Sequence, residues 1–481
     1  MILIIVILLI KLLLINSLWH AYDSTKKLDD CPQQSKHRLA PPPLTDEEIE
    51  KWKLWPGLLN DFDKANGEIV VGFREAMEAI WRNQHPEDCS KAKFLIAYGW
   101  NQGFGSEVHI IGSGLALALN MNRVYVMNPE GPLIGQDGAH DNTWQVDNDF
   151  CKKQNKKTLE CYFEPWTHCK IEDIMGMHMH LLLLFIIVIY YCYLLLILTD
   201  GKTIQQLKSA RSTEYSEEHT YFRDSDVFQK NLYNMTSQKV ILLENAADAQ
   251  PAVPEVFRKF VHCTHFIEGI IFYWWRAVSA AYLLRPNEAT RKLLKEYSTL
   301  DFNPNKERCV SIYIRRGDKH VEMKLIKTQK YLKVAKMFHE TGLIPGLPET
   351  NNSKPVIFIG SEDSTAIDDT ISWGNQNNWK IIYTNLFDRR SVSAHMNNTE
   401  QVASRMTKVA KHHDLEYFSM LLNLHYHLQC EAYVCTMGSN FCRIIDELKA
   451  TVAGKIHRHY ADITCEHHPC LRIDKDFHLG W

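Results

Sequence analysis

Apolar and polar positions along this chain predict strands and helices in alternation. Lys93-Phe-Leu-Ile-Ala-Tyr98 is a short apolar run and reads as a buried strand. A glycine turn follows, Asn101-Gln-Gly103-Phe-Gly105-Ser106. Residues 107–120 then place apolar side chains at helical spacing, and Val124-Tyr-Val-Met127 is the next strand. Together these form a βαβ unit. The second half repeats the alternation, with strands predicted at 309–314, 355–359, 380–383 and 432–435. Helical patterns lie between or after them, at 325–339, 363–373, 414–430 and 440–452. Five or more strands interleaved with helices imply an α/β fold with a parallel, doubly wound sheet.

Two apolar runs break this pattern. The first covers Met1 to Ile15, interrupted only by Lys11. It reads as a membrane-directed segment over 1–19, either a signal peptide or a signal-anchor. It lacks a basic leading region and a clear small-x-small cleavage site, and it falls short of the ~20 apolar residues that comfortably span a bilayer. The second run, Leu181 to Leu198, contains no charge and is a transmembrane candidate. Were both to span, the flanks of the second would face opposite sides of a membrane. The Asn-x-Ser/Thr glycosylation candidates, Asn234, Asn351 and Asn397, all follow it. The insert at 176–200 therefore has three readings: a second span, a buried hairpin-like insert, or mis-spliced sequence foreign to the mature protein. The abrupt change of composition at both ends favours the last.

Composition narrows the class. The 54 Lys and Arg against 57 Asp and Glu leave a net charge of −3, which speaks against a general nucleic-acid binder. Hydrophobic content of 45% and charged content of 23% are those of a globular chain, and 481 residues leave room for more than one core. Thirteen cysteines, one of them Cys192 inside the odd run, leave twelve for bridges, which suits an oxidising lumen. A polar stretch at 20–45 containing Pro41 to Pro43 reads as a stem or linker. An upstream α/β domain is then expected over 46–260 and a C-terminal Rossmann-like domain over 261–481.

Ligands of such sheets bind outside the carboxyl ends of the strands. After strand 309–314 stands Arg315-Arg316-Gly-Asp318-Lys319. Two adjacent guanidinium groups suit a diphosphate, since each donates bidentate hydrogen bonds and offsets charge on a leaving phosphate. After strand 355–359 come Glu362 and Asp363, carboxylates able to accept from a sugar or a base. After strand 432–435, Thr436-Met-Gly-Ser439 opens a helix whose N-terminus suits an anion. Three polar strand ends in one sheet describe a nucleotide-sugar site.

These residues carry a resemblance. Tyr313-Ile-Arg-Arg-Gly-Asp-Lys319 resembles the His-x-Arg-Arg-x-Asp-Lys signature of the α1,6-fucosyltransferases, glycosyltransferase family 23. It extends through Trp274-Trp275-Arg276, Tyr282 to Pro286, Phe358 to Asp363 and Val434 to Arg443, covering about 261–455, and more faintly 89–151. The resemblance implies a GT-B-like enzyme, a sheet-rich two-domain core that inverts configuration while moving fucose from GDP-fucose to a glycan acceptor. It implies no metal or other cofactor, and places such an enzyme at the Golgi membrane with its catalytic domain in the lumen; secretion is the alternative. The implied catalytic residues are Arg315 and Arg316, which hold the diphosphate, and Glu322 as base. The implied donor-binding set adds Tyr313, Asp318, Lys319, Glu362, Asp363, Asn423 and Ser439. Cys435 and Cys442 match a cysteine pair of the family and are the implied short-loop disulfide.

The chain departs from the pattern at three places. Tyr313 replaces the motif histidine, Asn423 replaces an aspartate on the long helix, and Met323 stands where the base is expected, with Glu322 one position earlier. Transfer of fucose α1,6 to the core GlcNAc of an N-glycan is therefore one option for the acceptor. A non-catalytic lumenal glycan-binding protein and a transferase for another nucleotide sugar are the alternatives.

Other features have plainer readings. Arg316-Gly-Asp318 as an adhesion tripeptide conflicts with the buried strand before it. The tail His457-Arg-His459 and Cys465-Glu-His467-His468-Pro-Cys470 has zinc-type ligands, but a local disulfide is the simpler reading. Tyr273, Trp274 and Trp275 read as helix core rather than a glycan platform. Arg276 and Arg285 read as structural, and His109 as a satisfied buried histidine.

Overall fold

The computed structural model describes residues 69–98, 103–128, 146, 148–170, 240–243, 253–257, 260, 271–298, 300, 302–303, 307–316, 325–342, 354–386, 413–456, 458–464 and 470–471. The segments at 1–19, 20–45 and 176–200 lie outside these, as do Asp318, Lys319, Glu322 and the three glycosylation candidates. No helix among the described residues is long and apolar enough to cross a membrane.

Two sheets, parallel in all but one pairing, organise the described residues. The first contains β1 (Phe94–Tyr98), β2 (Val124–Asn128) and β3 (Val240–Leu243) in the order β2-β1-β3, every pair parallel. Helix α1 (Phe73–Gln84) precedes β1, and α2 (Phe104–Asn120) joins β1 to β2. A short helix, α3 (Asp149–Lys153), starts the segment that runs to residue 170. Helices α4 (Ile271–Leu283) and α5 (Glu288–Tyr297) lead into the second unit.

The second sheet has the order β6-β5-β4-β7-β8-β9. Its strands are β4 (Cys309–Ile314), β5 (Val356–Ser361), β6 (Lys380–Ile382), β7 (Ala432–Cys435), β8 (Tyr460–Asp462) and β9 (Cys470–Leu471). All pair in parallel except β8 with β9. The helices are α6 (Thr328–Glu340) after β4, α7 (Ser364–Asn377) after β5, α8 (His413–Gln429) before β7 and α9 (Asn440–Lys449) after it. The chain moves outward from β4 to β5 and β6, then returns to the other side of β4 with β7 and β8. The topological switch point therefore lies between β4 and β7, and the carboxyl ends of the strands there are where ligands of open α/β sheets bind.

Alternate residues of β4 explain why helices cover both faces. Val310, Ile312 and Ile314 pack with Ile357, Ile359 and the apolar faces of α6 and α7, including Leu332, Phe338 and Ile367. On the opposite face Cys309 and Phe358 belong to a core with Leu421, Leu424 and Leu428 of α8. Each such fully buried aliphatic side chain contributes about 1.5–3 kcal/mol. Cys309 is also joined by a disulfide to Cys430, fixing the start of β4 to the end of α8.

Helix α4 is the junction between the units. Trp275 donates its indole N–H to Gly112 O of α2 at 2.9 Å, and Trp274 donates to Val71 O at 2.8 Å. Tyr273 donates to Asp446 O of α9 at 3.3 Å. Trp274 and Trp275 are each 1% exposed, so they are core residues and not a surface platform. Arg285 is buried, donates to Tyr282 O and Pro165 O, and lies over the ring of Tyr282 at 4.1 Å; it is structural.

Candidate functional site

The strand ends meet at the switch point, and Glu362 organises them. It follows β5 directly, and β5 runs parallel beside β4 with Ile314 opposite Ser361. That register sets Glu362 beside Arg315 and Arg316. Its Oε1 accepts from a guanidinium N–H of Arg315 and from the backbone N–H of Arg316. Its Oε2 accepts from the Tyr313 hydroxyl at 3.3 Å. Arg315 also donates to Arg316 O at 2.8 Å. The side chains of Arg315 and Glu362 are 18% and 21% exposed, enough to meet a ligand and little enough to be held.

Arg316 is anchored from the helical side. It donates to Thr328 Oγ1 at 3.0 Å, and Thr328 donates to Asp369 of α7 at 3.2 Å. Its Nε is buried with no partner among the described residues. A guanidinium with an unused N–H at a strand end is equipped to receive an anionic oxygen.

Tyr331 of α6 lies beneath this group, and its electrostatic neighbours are Arg316, Glu362 and Asp462. Burial, more than any of them, holds its phenol protonated. Asp462, at the end of β8, accepts from the backbone of Met437 at 3.2 Å and from Thr464. It thereby ties the ends of β7 and β8 together. Nothing in the sequence marked Asp462, because β8 has only three residues and no apolar run of its own.

After β7, Cys435 and Cys442 form a disulfide, the pairing the resemblance implied. Ser439 is the N-cap residue of α9, 3% exposed, and its hydroxyl makes no capping bond. The helix therefore begins beside these strand ends with backbone N–H groups directed out of its first turn. Tyr313 bridges β4 to this turn through the ring of Phe441, 4.7 Å away. His427 of α8 is fully buried against Tyr313 and Phe358, and burial holds it neutral.

Two further predicted residues have local partners. Asp363 is the N-cap of α7 and accepts from Thr365 N at 2.8 Å and Thr365 Oγ1 at 2.7 Å. Asn423 of α8 is 7% exposed and accepts from Thr384 Oγ1 at 3.0 Å, just beyond β6. The structure thus gathers Tyr313, Arg315, Arg316 and Glu362 into one bonded group. It places Ser439 at the neighbouring helix start and Asn423 at the end of β6.

The glycine turn after β1 reaches the same region. Gly105 lies against the first turn of α9: a Cβ there would stand 2.6 Å from the backbone carbon of Asn440. Asn440 donates to Ser106 Oγ at 2.5 Å. The N-termini of α2 and α9, one from each unit, therefore converge. His109, one turn into α2, pairs with Glu447 of α9 at 3.0 Å. Burial lowers its pKa despite the carboxylate, and the pair joins α2 to α9 across the junction.

No protein-family model matches the chain, and no characterised protein sequence matches it either. Solved structures similar to it include the fucosyltransferase NodZ from Bradyrhizobium, with a TM-score of 0.37 and 9% identity, covering 79% of this chain and 98% of that one. NodZ α1,6-fucosyltransferase soaked with GDP-fucose has a TM-score of 0.34 and 9% identity over 79% of this chain and 99% of that one. A mutant of Arabidopsis thaliana FUT1 in complex with GDP has a TM-score of 0.37 and 10% identity over 87% of this chain and 81% of that one.

Proposed function

We propose that this chain is an inverting glycosyltransferase that moves fucose from GDP-fucose to a glycan acceptor. One observation carries the reading: a pair of arginines at the switch point of a parallel sheet, set in place by a carboxylate from the neighbouring strand. A diphosphate is the ligand such a pair fits, and departing GDP is where its charge does chemical work. The α9 N-terminus with Ser439 adds a second anion-favouring element beside it.

In this reading Arg315 and Arg316 bind the donor diphosphate and stabilise the negative charge that develops as the anomeric C–O bond breaks. Asp318 and Lys319 follow them in the sequence and complete the phosphate loop. Glu322 takes the proton of the acceptor hydroxyl as its oxygen attacks the opposite face of the sugar, which inverts the anomeric centre. Glu362 acts through the arginines by fixing them, and Asp363 shapes the start of α7. Asn423 and Ser439 border the nucleotide. The reaction needs no metal, because the two guanidinium groups supply the positive charge.

The acceptor we favour is the core GlcNAc of an N-glycan, linked α1,6. The membrane-directed start of the sequence and the disulfides support a lumenal, Golgi-membrane setting. The test is to incubate the chain with GDP-fucose and a panel of N-glycan acceptors and to follow the products by mass spectrometry and NMR. The expected product gains one deoxyhexose with inverted anomeric configuration. Hydrolysis alone, or transfer from another nucleotide sugar only, would overturn the reading.

A further inference from the structure

The four disulfides among the described residues are not alike. Both members of Cys151–Cys161, Cys309–Cys430 and Cys435–Cys442 are buried. Cys89–Cys169 is the exception, because Cys89 is only partly covered. His168, exposed, immediately precedes Cys169. The imidazole nitrogen and the two sulfurs all lie within 4.8 Å of one another. Cysteine and histidine are the usual ligands of zinc(II), at about 2.3 Å from sulfur and about 2.0 Å from nitrogen. In the oxidised pair the sulfurs are bonded to each other and are poor ligands. Opened, they become two thiolates on either side of an imidazole.

A second imidazole stands next to the first, with the ring centroids of His85 and His168 5.3 Å apart. The Nδ1 of His85 lies 3.0 Å from Trp81 O. A carbonyl only accepts, so Nδ1 carries the proton and the neutral ring has its lone pair at Nε2. A ring nitrogen donating to a carbonyl is the arrangement that orients metal-ligating histidines. His85 also stacks on Trp81 at 3.6 Å, which holds the ring plane.

We propose that reduction of Cys89–Cys169 opens a binding site for a zinc-class divalent cation. Cys89, Cys169 and His168 are its ligands, and His85 is the neighbour for the fourth position. The chemistry balances with a dithiol as reductant. The dithiol gives up two electrons and two protons and becomes a disulfide, the Cys89–Cys169 bond breaks, and two thiols form. The cation then replaces those two protons as two sulfur–metal bonds form, with no change in its oxidation state. The cross-link between the connection from α1 to β1 and the 148–170 segment is thereby kept in either redox state, covalently or through the metal. The cluster packs against β1 and β2 of the first sheet, so it is distinct from the arginine group at the strand ends of the second.

The test uses the full chain, mildly reduced with a phosphine, with cobalt(II) as the spectroscopic probe and zinc(II) as its competitor. Alkylation and peptide mass spectrometry identify which disulfide opens first. The expected result is selective opening of Cys89–Cys169, a thiolate-to-cobalt charge-transfer band that zinc abolishes, and no band in the oxidised chain. The band should vanish in the Cys89→Ser/Cys169→Ser double variant. In His168→Ala it should need more than ~10-fold more cobalt, a loss usual even for outer-sphere partners. His168 is exposed, so this second variant keeps its fold if the double variant does not. A band unchanged in His168→Ala, a band that persists in the double variant, or no band after Cys89–Cys169 has opened would each overturn the proposal.

Discussion

Arg315 and Glu362 are joined across the carboxyl ends of two neighbouring parallel strands, and the same carboxylate accepts from the backbone of Arg316. The pairing has two opposite consequences for an anionic ligand. It places a negative charge near the phosphates, and it holds the guanidinium groups in one geometry. Since Arg316 is also bound to Thr328 and Asp369 lies behind that threonine, the second consequence should dominate. Glu362→Ala is therefore expected to weaken GDP binding by roughly 10- to 150-fold, the equivalent of about 1.5–3 kcal/mol for a lost charged hydrogen bond. Tighter binding in calorimetric titration would mean that the carboxylate acts mainly as a repulsive charge.

Glu322→Gln separates binding from chemistry. It should leave donor affinity close to that of the unaltered chain and lower turnover by ~10²- to 10⁴-fold, the usual contribution of a positioned base. Donor titration alongside a product assay reads the two effects independently. Full turnover in the variant would remove Glu322 from the mechanism.

Glu107 links stability to pH. It sits in the first turn of α2, 2% exposed, and burial pushes its pKa up to about 8. Tyr125 of β2 and Tyr417 of α8 are among the groups it acts on. The unfolded chain releases this proton near the ordinary carboxylate pKa of about 4.3. Between about 4.3 and 8 the folded state holds more protons than the unfolded one, so this group makes stability fall as pH rises. Glu107→Gln should flatten that fall, with a gain on the order of 5 kcal/mol at the upper end. Denaturant midpoints measured across this pH range check the sign. A variant curve parallel to that of the unaltered chain would contradict it.

Gly105→Ala tests the convergence of α2 and α9. An added methyl would meet the backbone of Asn440, which cannot move without shifting the helix start. The expected cost is about 1–3 kcal/mol, as for other overpacked sites, together with weaker donor binding because Ser439 moves with that turn. Thermal unfolding and GDP titration of one sample measure both. No effect on either would mean that the two helix starts are not rigidly joined.

Much of the second sheet was legible in the sequence, for a definite reason. Its central strands are continuous apolar runs closed by charged or turn residues, because helices cover both faces. Strands 309–314 and 432–435 fall where the pattern placed them, and β6 ends one residue earlier than expected, at Ile382. Helix α2 begins at Phe104, inside the predicted glycine turn, since only Gly105 allows α9 to come so near. Strands β3, β8 and β9 were not foreseen. They are two to four residues long and exist through pairing with neighbours distant in sequence. Helix α1 did carry a signal, with Phe73, Met77, Ile80 and Gln84 buried along one face at helical spacing.

The site was legible in kind and less so in its internal bonds. The arginine pair followed from strand position alone. That Glu362 is engaged by both arginines depends on the register of β4 against β5, which no local pattern encodes. Asn423 was reached only through the resemblance, because a polar residue inside a long helix has no local mark of function. Its partner Thr384 lies 39 residues away in sequence.

The most direct test of the central claim is calorimetric titration of the chain with GDP, GDP-fucose and UDP, repeated with Arg316→Ala. Both guanine nucleotides should bind, and UDP at least ~10-fold more weakly, because the base and the diphosphate are recognised together. Arg316→Ala should lose a further ~10- to 100-fold, from removal of charged hydrogen bonds to phosphate. A folded chain that binds no guanine nucleotide, or binds it equally well without Arg316, would contradict the account.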